Sequence, residues 1–114
     1  MSQRTLLRGQ VYWSDFNTAR GGEISKTRPA IIVSSDSANR FLNRVQIVPL
    51  TTNVRRVLRG ETIVRLNGLP NKAMADQITT ATKERIGDYV GDISDADMRR
   101  VDRALILQLD LPRR

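Results

Sequence analysis

Two short stretches carry side chains whose types and setting suit chemistry: SKTRP, Ser25 to Pro29, and PLTT, Pro49 to Thr52. In the first, the guanidinium of Arg28 stands at the mouth of an apolar run, Ala30 to Val33. Pro29 removes one backbone donor and fixes its own φ, which limits how residue 28 moves. The run behind it anchors the backbone in a core. The expectation is a cation held in place before substrate arrives, which is what electrostatic catalysis needs. In the second stretch, the hydroxyls of Thr51 and Thr52 close a strand-like segment. Each group also has an ordinary role open to it. An arginine at a sheet edge can snorkel to solvent and pair with a carboxylate, here Glu23 or Asp36. Threonine is a good strand former whose hydroxyl often bonds its own backbone.

The 114-residue chain has no cysteine and no histidine. Disulfides, thiolate nucleophiles and cysteine zinc sites are therefore excluded, and the commonest general base and metal ligand is missing. Any catalysis must run on Arg, Lys, Thr, Ser, Tyr, Asp or Glu. Net charge is +7, from 19 basic and 12 acidic residues, and 16 of the basic ones are arginine. Arginine pairs bidentately with phosphate, so this excess suits a polyanion, either nucleic acid or an acidic protein. A GC-rich genome also produces an arginine-rich chain. The length fits one domain over 1–114, with no room for a second core. No window approaches the ~18 apolar residues of a membrane span. The start, MSQRTLLRGQ, lacks the features of a secretion signal. A cytoplasmic protein with no membrane partner is expected.

The elements that must position these groups are short. VYWSDF reads as a first strand, with Val11, Trp13 and Asp15 alternating against Tyr12, Ser14 and Phe16. Asn17 to Lys26, with Gly21 and Gly22, reads as a flexible loop suited to a lid. AIIVS is a buried strand, and Asp36 to Arg40 one helical turn. Val45 to Thr52 is a further strand, in which Pro49 suggests an edge position or an early end. NVRRVLRG is a basic loop in which Arg55, Arg56 and Arg59 are placed to track a phosphate backbone or simply to be solvated. ETIVRL is a short strand with Ile63 and Leu66 set against Thr62 and Val64; NGLPN is a turn cluster. Strand patterning follows around Ala75 to Thr80, and GDYVGDI is a last strand or turn. Ser94-Asp95-Ala96-Asp97 resembles a capping box opening a helix. Its stripe is Met98, Val101, Leu105 and Leu109, its stop Pro112, and Arg99, Arg100 and Arg103 lie on the solvated side. The reading is mainly β with helices: a small, strongly bent sheet or partly open barrel with a closing helix.

Five blocks in order, RGQVYWSDF, GGEISKTRPAIIVSSDSANR, VQIVPLTTN, KAMADQITTATKERIG and SDADMRRVDRALILQL, resemble the MazF/PemK toxins of bacterial toxin–antitoxin pairs. The resemblance covers about residues 8–111. It implies a small SH3-like, partly open barrel of the CcdB/MazF type with a C-terminal helix, working as a two-fold homodimer. It implies a sequence-specific, ribosome-independent and metal-independent endoribonuclease without cofactor, which cuts single-stranded RNA, mainly mRNA, and arrests growth. It also implies a cognate antitoxin whose acidic, partly disordered segment lies across the RNA groove, docking that the positive charge favours. The catalytic arginine of the resemblance falls on Arg28, beside Lys26, and its threonine on Thr51, with Thr52 the neighbour. The glutamate of the preceding loop falls on Glu23, for RNA contact or proton transfer. The acidic-Gln pair falls on Asp76 and Gln77; a glutamate is common where Asp76 stands, which weakens a base contact there.

The chemistry also follows without the name. RNA brings its own nucleophile, the 2′-OH beside the scissile phosphate. In-line attack expels the 5′-oxygen and leaves a 2′,3′-cyclic phosphate, with neither water nor metal required. A preorganised arginine fork stabilises the charge that builds on phosphorus, a donor worth on the order of 3 kcal/mol. Arginine is a poor general base, since its pKa exceeds about 12. For base stacking, Tyr12 and Phe16 are the candidates, whereas Trp13 is assigned to the core or a dimer interface. Two rival readings differ in class. One is a non-catalytic CcdB-like toxin that binds DNA gyrase through its C-terminal helix, which the KTRP and PLTT blocks oppose. The other is a DNA-binding autoregulator, for which no helix-turn-helix signature is found.

Overall fold

The computed structural model describes residues 4–16 and 26–112. Seven strands form one curled sheet: β1 (Gln10–Asp15), β2 (Thr27–Ile32), β3 (Arg44–Thr51), β4 (Glu61–Leu66), β5 (Leu69–Met74), β6 (Thr79–Thr82) and β7 (Ile86–Asp92). The order across it is β4-β5-β3-β2-β1-β7, with β6 paired to the first half of β3. All pairings are antiparallel. Helix α1 (Asp36–Phe41) follows β2, and α2 (Asp95–Leu109) closes the described chain. This is the partly open barrel with a C-terminal helix that the sequence suggests.

The sheet is buried on both faces. Val11, Ile31, Val48, Leu50, Val64, Leu66 and Ala73 pack with Met98 and Val101 of α2. Tyr12, Ala30, Ile32, Val45 and Ile47 form a second cluster on the opposite face, with Leu6, Ala81 and Ile86. Two-sided burial explains several differences from the sequence reading. Pro49 is not at an edge; it is fully buried in the central strand β3. It falls where β3 changes partner: β6 pairs up to Ile47 and β5 pairs from Leu50, so a missing N–H disrupts least there. In β4 the core positions are Val64 and Leu66, while Ile63 faces the other side. Trp13 is 44% exposed and so is not a core residue of this chain.

The turn cluster also resolves differently. Asn67 and Gly68 both take positive φ, at 52° and 82°, and join β4 to β5 as a two-residue hairpin. An Asn-Gly pair suits such a turn because both central residues must be left-handed. Leu69, Pro70 and Asn71 therefore begin a strand instead of ending a loop. The strand expected around Ala75 to Thr80 is in fact a 3₁₀ turn, Ala75–Gln77, followed by β6.

Helix α2 begins as its sequence indicates. Ser94 is the N-cap, and its hydroxyl accepts from the Asp97 amide at 3.1 Å. Asp97 Oδ2 also accepts the Arg65 amide at 2.8 Å, so the helix start satisfies a donor on the outer strand β4. Met98 and Val101 are buried, whereas Leu109, the last residue of the helix, is 48% exposed. The helix ends with Asp110 in the left-handed region, before Pro112. Ser94→Ala removes the cap and is expected to lower unfolding free energy by about 1 kcal/mol, read as a lower urea midpoint at unchanged m.

Candidate functional site

The β2–β3 ladder runs from Ile32↔Ile47 to Ala30↔Pro49. Extended by two residues in the same register, it sets Arg28 across from Thr51. Arg28 alternates in phase with Ala30 and Ile32, and Thr51 with Val45 and Ile47, so both belong to the sheet face opposite α2. The row continues on either side. Ser14 is the β1 partner of Arg28, and Lys72 is the β5 partner of Thr51. Directly opposed residues on one face hold their Cβ atoms about 5 Å apart. In that extended register Ser14, Arg28, Thr51 and Lys72 line up across four strands, the outer two pairs being bonded partners and the Arg28–Thr51 step the continuation of the ladder.

Each member has a definable state. Ser14 is fully buried, and its hydroxyl donates to the Tyr12 carbonyl at 3.2 Å. Arg28 is half-buried, with its backbone fixed by the β1 ladder. Its guanidinium makes no ion pair or hydrogen bond with any other described residue. Of the two carboxylates suggested as its partner, Asp36 instead accepts the Arg8 amide at 2.7 Å, and Glu23 lies outside the described residues. The anchoring expected from Pro29 is therefore an anchoring of the backbone, with the cationic head unpaired among the described residues. Thr51 Oγ1 accepts the Asn53 amide at 3.2 Å. A hydroxyl has one proton and two lone pairs, so this bond orients Oγ1 and leaves its proton to donate.

The remaining predicted residues spread further. Lys26 and Thr52 are exposed and flank the pair in sequence. Arg55 and Arg56 are exposed on the loop that follows Thr52; its backbone is turned by the bond from the Arg55 amide to Asn53 Oδ1, 3.3 Å. Asp76 and Gln77 sit on the 3₁₀ turn that packs against α2, and no described contact joins them to Arg28 or Thr51. The Asp76 amide bonds the Gly60 carbonyl at 3.1 Å. Glu23 and the Asn17 to Ser25 part of the proposed lid lie outside the described residues. Tyr12 is buried, with its hydroxyl on Gln10 Oε1 at 2.9 Å, so it offers no face for stacking; Phe16 packs against the same core cluster.

Lys72 and Glu61 were not marked by any sequence signal. Eleven residues apart, they meet only because β4 and β5 pair and place them as diagonal neighbours. Neither the buried phenol of Tyr12 nor the exposed one of Tyr89 serves as a base at neutral pH. Burial pushes the Tyr12 hydroxyl up, with Arg4 opposing; a hydrogen bond to Asp92 raises that of Tyr89. A separate cavity of about 210 Å³, lined by Arg4, Asn39, Arg40 and Lys83 among others, lies at the Arg44 end of β3. That is a strand length of roughly 23 Å from Thr51, so it is not part of this site.

Comparison with known proteins decides the family. Residues 7–109 match the profile of the PemK-like, MazF-like toxins of type II toxin–antitoxin systems. The chain belongs to that family. The toxin is 35% identical over 115 residues to Endoribonuclease MazF9 of Mycobacterium tuberculosis, covering 93% of this chain and 98% of the relative. Among solved structures it resembles an endoribonuclease from Mycobacterial species, with a TM-score of 0.82, 32% identity and complete coverage of both chains. It also resembles an endoribonuclease in complex with its cognate antitoxin, with a TM-score of 0.77, 34% identity and coverage of 95% and 98%. The CcdB-like alternative is not favoured. In this PemK/MazF-like toxin Arg28 and Thr51 also belong to the sheet face away from α2, the element such a gyrase binder would use.

Proposed function

We propose that this toxin is an endoribonuclease that cleaves single-stranded RNA, chiefly mRNA, at the Arg28–Thr51 end of its sheet. One arrangement supports the reading: the β2–β3 register, continued beyond the Ala30↔Pro49 pair, brings Arg28, whose guanidinium has no partner among the described residues, opposite the oriented hydroxyl of Thr51. In the reaction the 2′-oxygen forms a bond to phosphorus and the P–O5′ bond breaks, giving a 2′,3′-cyclic phosphate and a 5′-OH. Arg28 donates to the phosphoryl oxygens as they gain charge, where a fixed fork acts more strongly than in water, and gives a proton to the departing O5′ alkoxide, balancing the one lost by the 2′-OH. Thr51 donates its free hydroxyl proton to a non-bridging oxygen or orients the 2′-OH. Glu23 is the proposed acceptor of the 2′-OH proton, and Lys26, Thr52, Arg55 and Arg56 the contacts to flanking phosphates. Asp76 and Gln77 are read as peripheral to this chemistry. An acidic antitoxin segment would compete for the same cations. A homodimer acting in the cytoplasm completes the proposal.

The test is to incubate the purified toxin with a long RNA in EDTA and map the new ends. Cleavage is expected to persist, with 5′-OH termini and cyclic phosphates at a limited set of sites. Intact RNA, or 5′-phosphate ends, removes the reading.

A further inference from the structure

We infer that Lys72 and Glu61 form a clamp that positions the 52–60 loop, and with it Arg55 and Arg56, beside the Arg28–Thr51 site. This rests on the RNA-cleaving reading above. Lys72 stands directly across from Thr51 on the same face. Its Nζ lies 3.5 Å from Glu61 Oε1 and donates to the Arg56 carbonyl at 2.9 Å. Glu61 Oε1 in turn accepts the Leu58 amide at 2.8 Å, while the Glu61 amide donates to the Leu58 carbonyl at 3.0 Å. One ion pair thus holds an acceptor of the loop with its positive end and a donor with its negative end.

The pair is nearly out of water, with side-chain exposures of 12% for Lys72 and 7% for Glu61. Desolvating two charges rarely adds stability over an apolar pair of similar size, so stability alone does not account for it. Its geometry accounts for it better. The loop carries Arg55, Arg56 and Arg59, all exposed and in no ion pair among the described residues. Three like charges on an irregular segment repel one another and splay. Arg59 lines a cavity with Arg100 and Arg103 of α2, whereas fixing the backbone at residues 56 and 58 keeps Arg55 and Arg56 near the strand ends, one strand away from Thr51. There they meet the phosphates on the β3 side of the scissile bond. Lys72 and Glu61 touch the loop backbone and not the reacting atoms, so they are positioning residues.

The test compares Glu61→Gln/Lys72→Met, Lys72→Arg and Arg55→Ala/Arg56→Ala with the parent toxin. The clamp double variant leaves no orphaned carboxylate, and melting within a few degrees of the parent certifies its fold. Two readouts are used: RNA cleavage kinetics, and Kd for a fluorescent single-stranded DNA 12-mer, which offers phosphates without the 2′-OH nucleophile. Loss of the clamp is expected to raise both KM and Kd about 5–10-fold, with kcat within about twofold. The slope of log Kd against log salt should fall by about 1.4 if two phosphate contacts are lost. Removing Arg55 and Arg56 in the clamp variant should add less than about twofold, because neighbours acting as a unit are not additive. Lys72→Arg should restore binding to within about twofold. Unchanged Kd in the folded double variant, full additivity with the arginine changes, or a fall in kcat at constant Kd each overturns the clamp. If the parent cuts no RNA while DNA binding responds as stated, the nuclease reading fails and the clamp stands.

Discussion

Arg28→Ala is expected to lower the single-turnover rate of RNA cleavage by about 10²–10³-fold with the fold intact, the usual cost of losing one transition-state donor. The side chain lies outside both core clusters and has no partner among the described residues, so its removal breaks no described bond. The effect should therefore fall on kcat and not on melting temperature. Arg28→Lys keeps a charge but loses the planar fork that matches phosphoryl oxygens, and should recover only part of the rate. Cleavage assays on one RNA, with far-UV circular dichroism as the fold control, decide it. A loss below about tenfold would show that the charge at phosphorus is met by another group.

The second large effect is on stability. Ile31 is fully buried and lies between Val11 of β1 and Val48 of β3, three residue pairs along the ladder from Arg28 and on the α2 side of the sheet. Ile31→Ala removes three carbons from that layer and leaves a cavity that rigid strands on both sides cannot close. The expected destabilisation is about 3–4 kcal/mol, within the range for large-to-small core changes. Urea unfolding should show a lower midpoint at constant m. Because Arg28 and Thr51 are set by ladder pairing, molecules that remain folded at low temperature should cleave at nearly the parent rate. A loss under about 1 kcal/mol would mean that this layer is not packed as described.

The residues of the candidate site are marked by the sequence itself; their neighbours are not. Arg28 announces itself through Pro29 and the apolar run, and Thr51 through the end of a strand. The cap at Ser94 follows from local chemistry and is found where expected. Period-two reading fails where the sheet is covered twice. Residues 47–50 are all buried, so alternation gives no face, and Pro49 resembles a breaker although a change of partner accommodates it. In β4 the phase was misjudged because Ile63 and Val64 are equally apolar, and only the position of α2 distinguishes them. Tyr12 and Trp13 exchange their expected roles for a similar reason. The first is covered by the second cluster and the second is open. The Lys72–Glu61 contact depends on hairpin register, which no composition or spacing encodes.

One pairing has a consequence for synthesis. β1 is bonded to β7, so the start of the described chain closes against residues 86–92. The β4–β5 hairpin joins neighbours through two residues and forms locally, whereas the β1–β7 ladder must wait for distant partners. A nascent chain that has not yet extruded residue 92 lacks that ladder, while β2 and β3, which carry Arg28 and Thr51, are already outside the ribosome. Until then β1 keeps an open edge, available to a chaperone or to a second nascent chain.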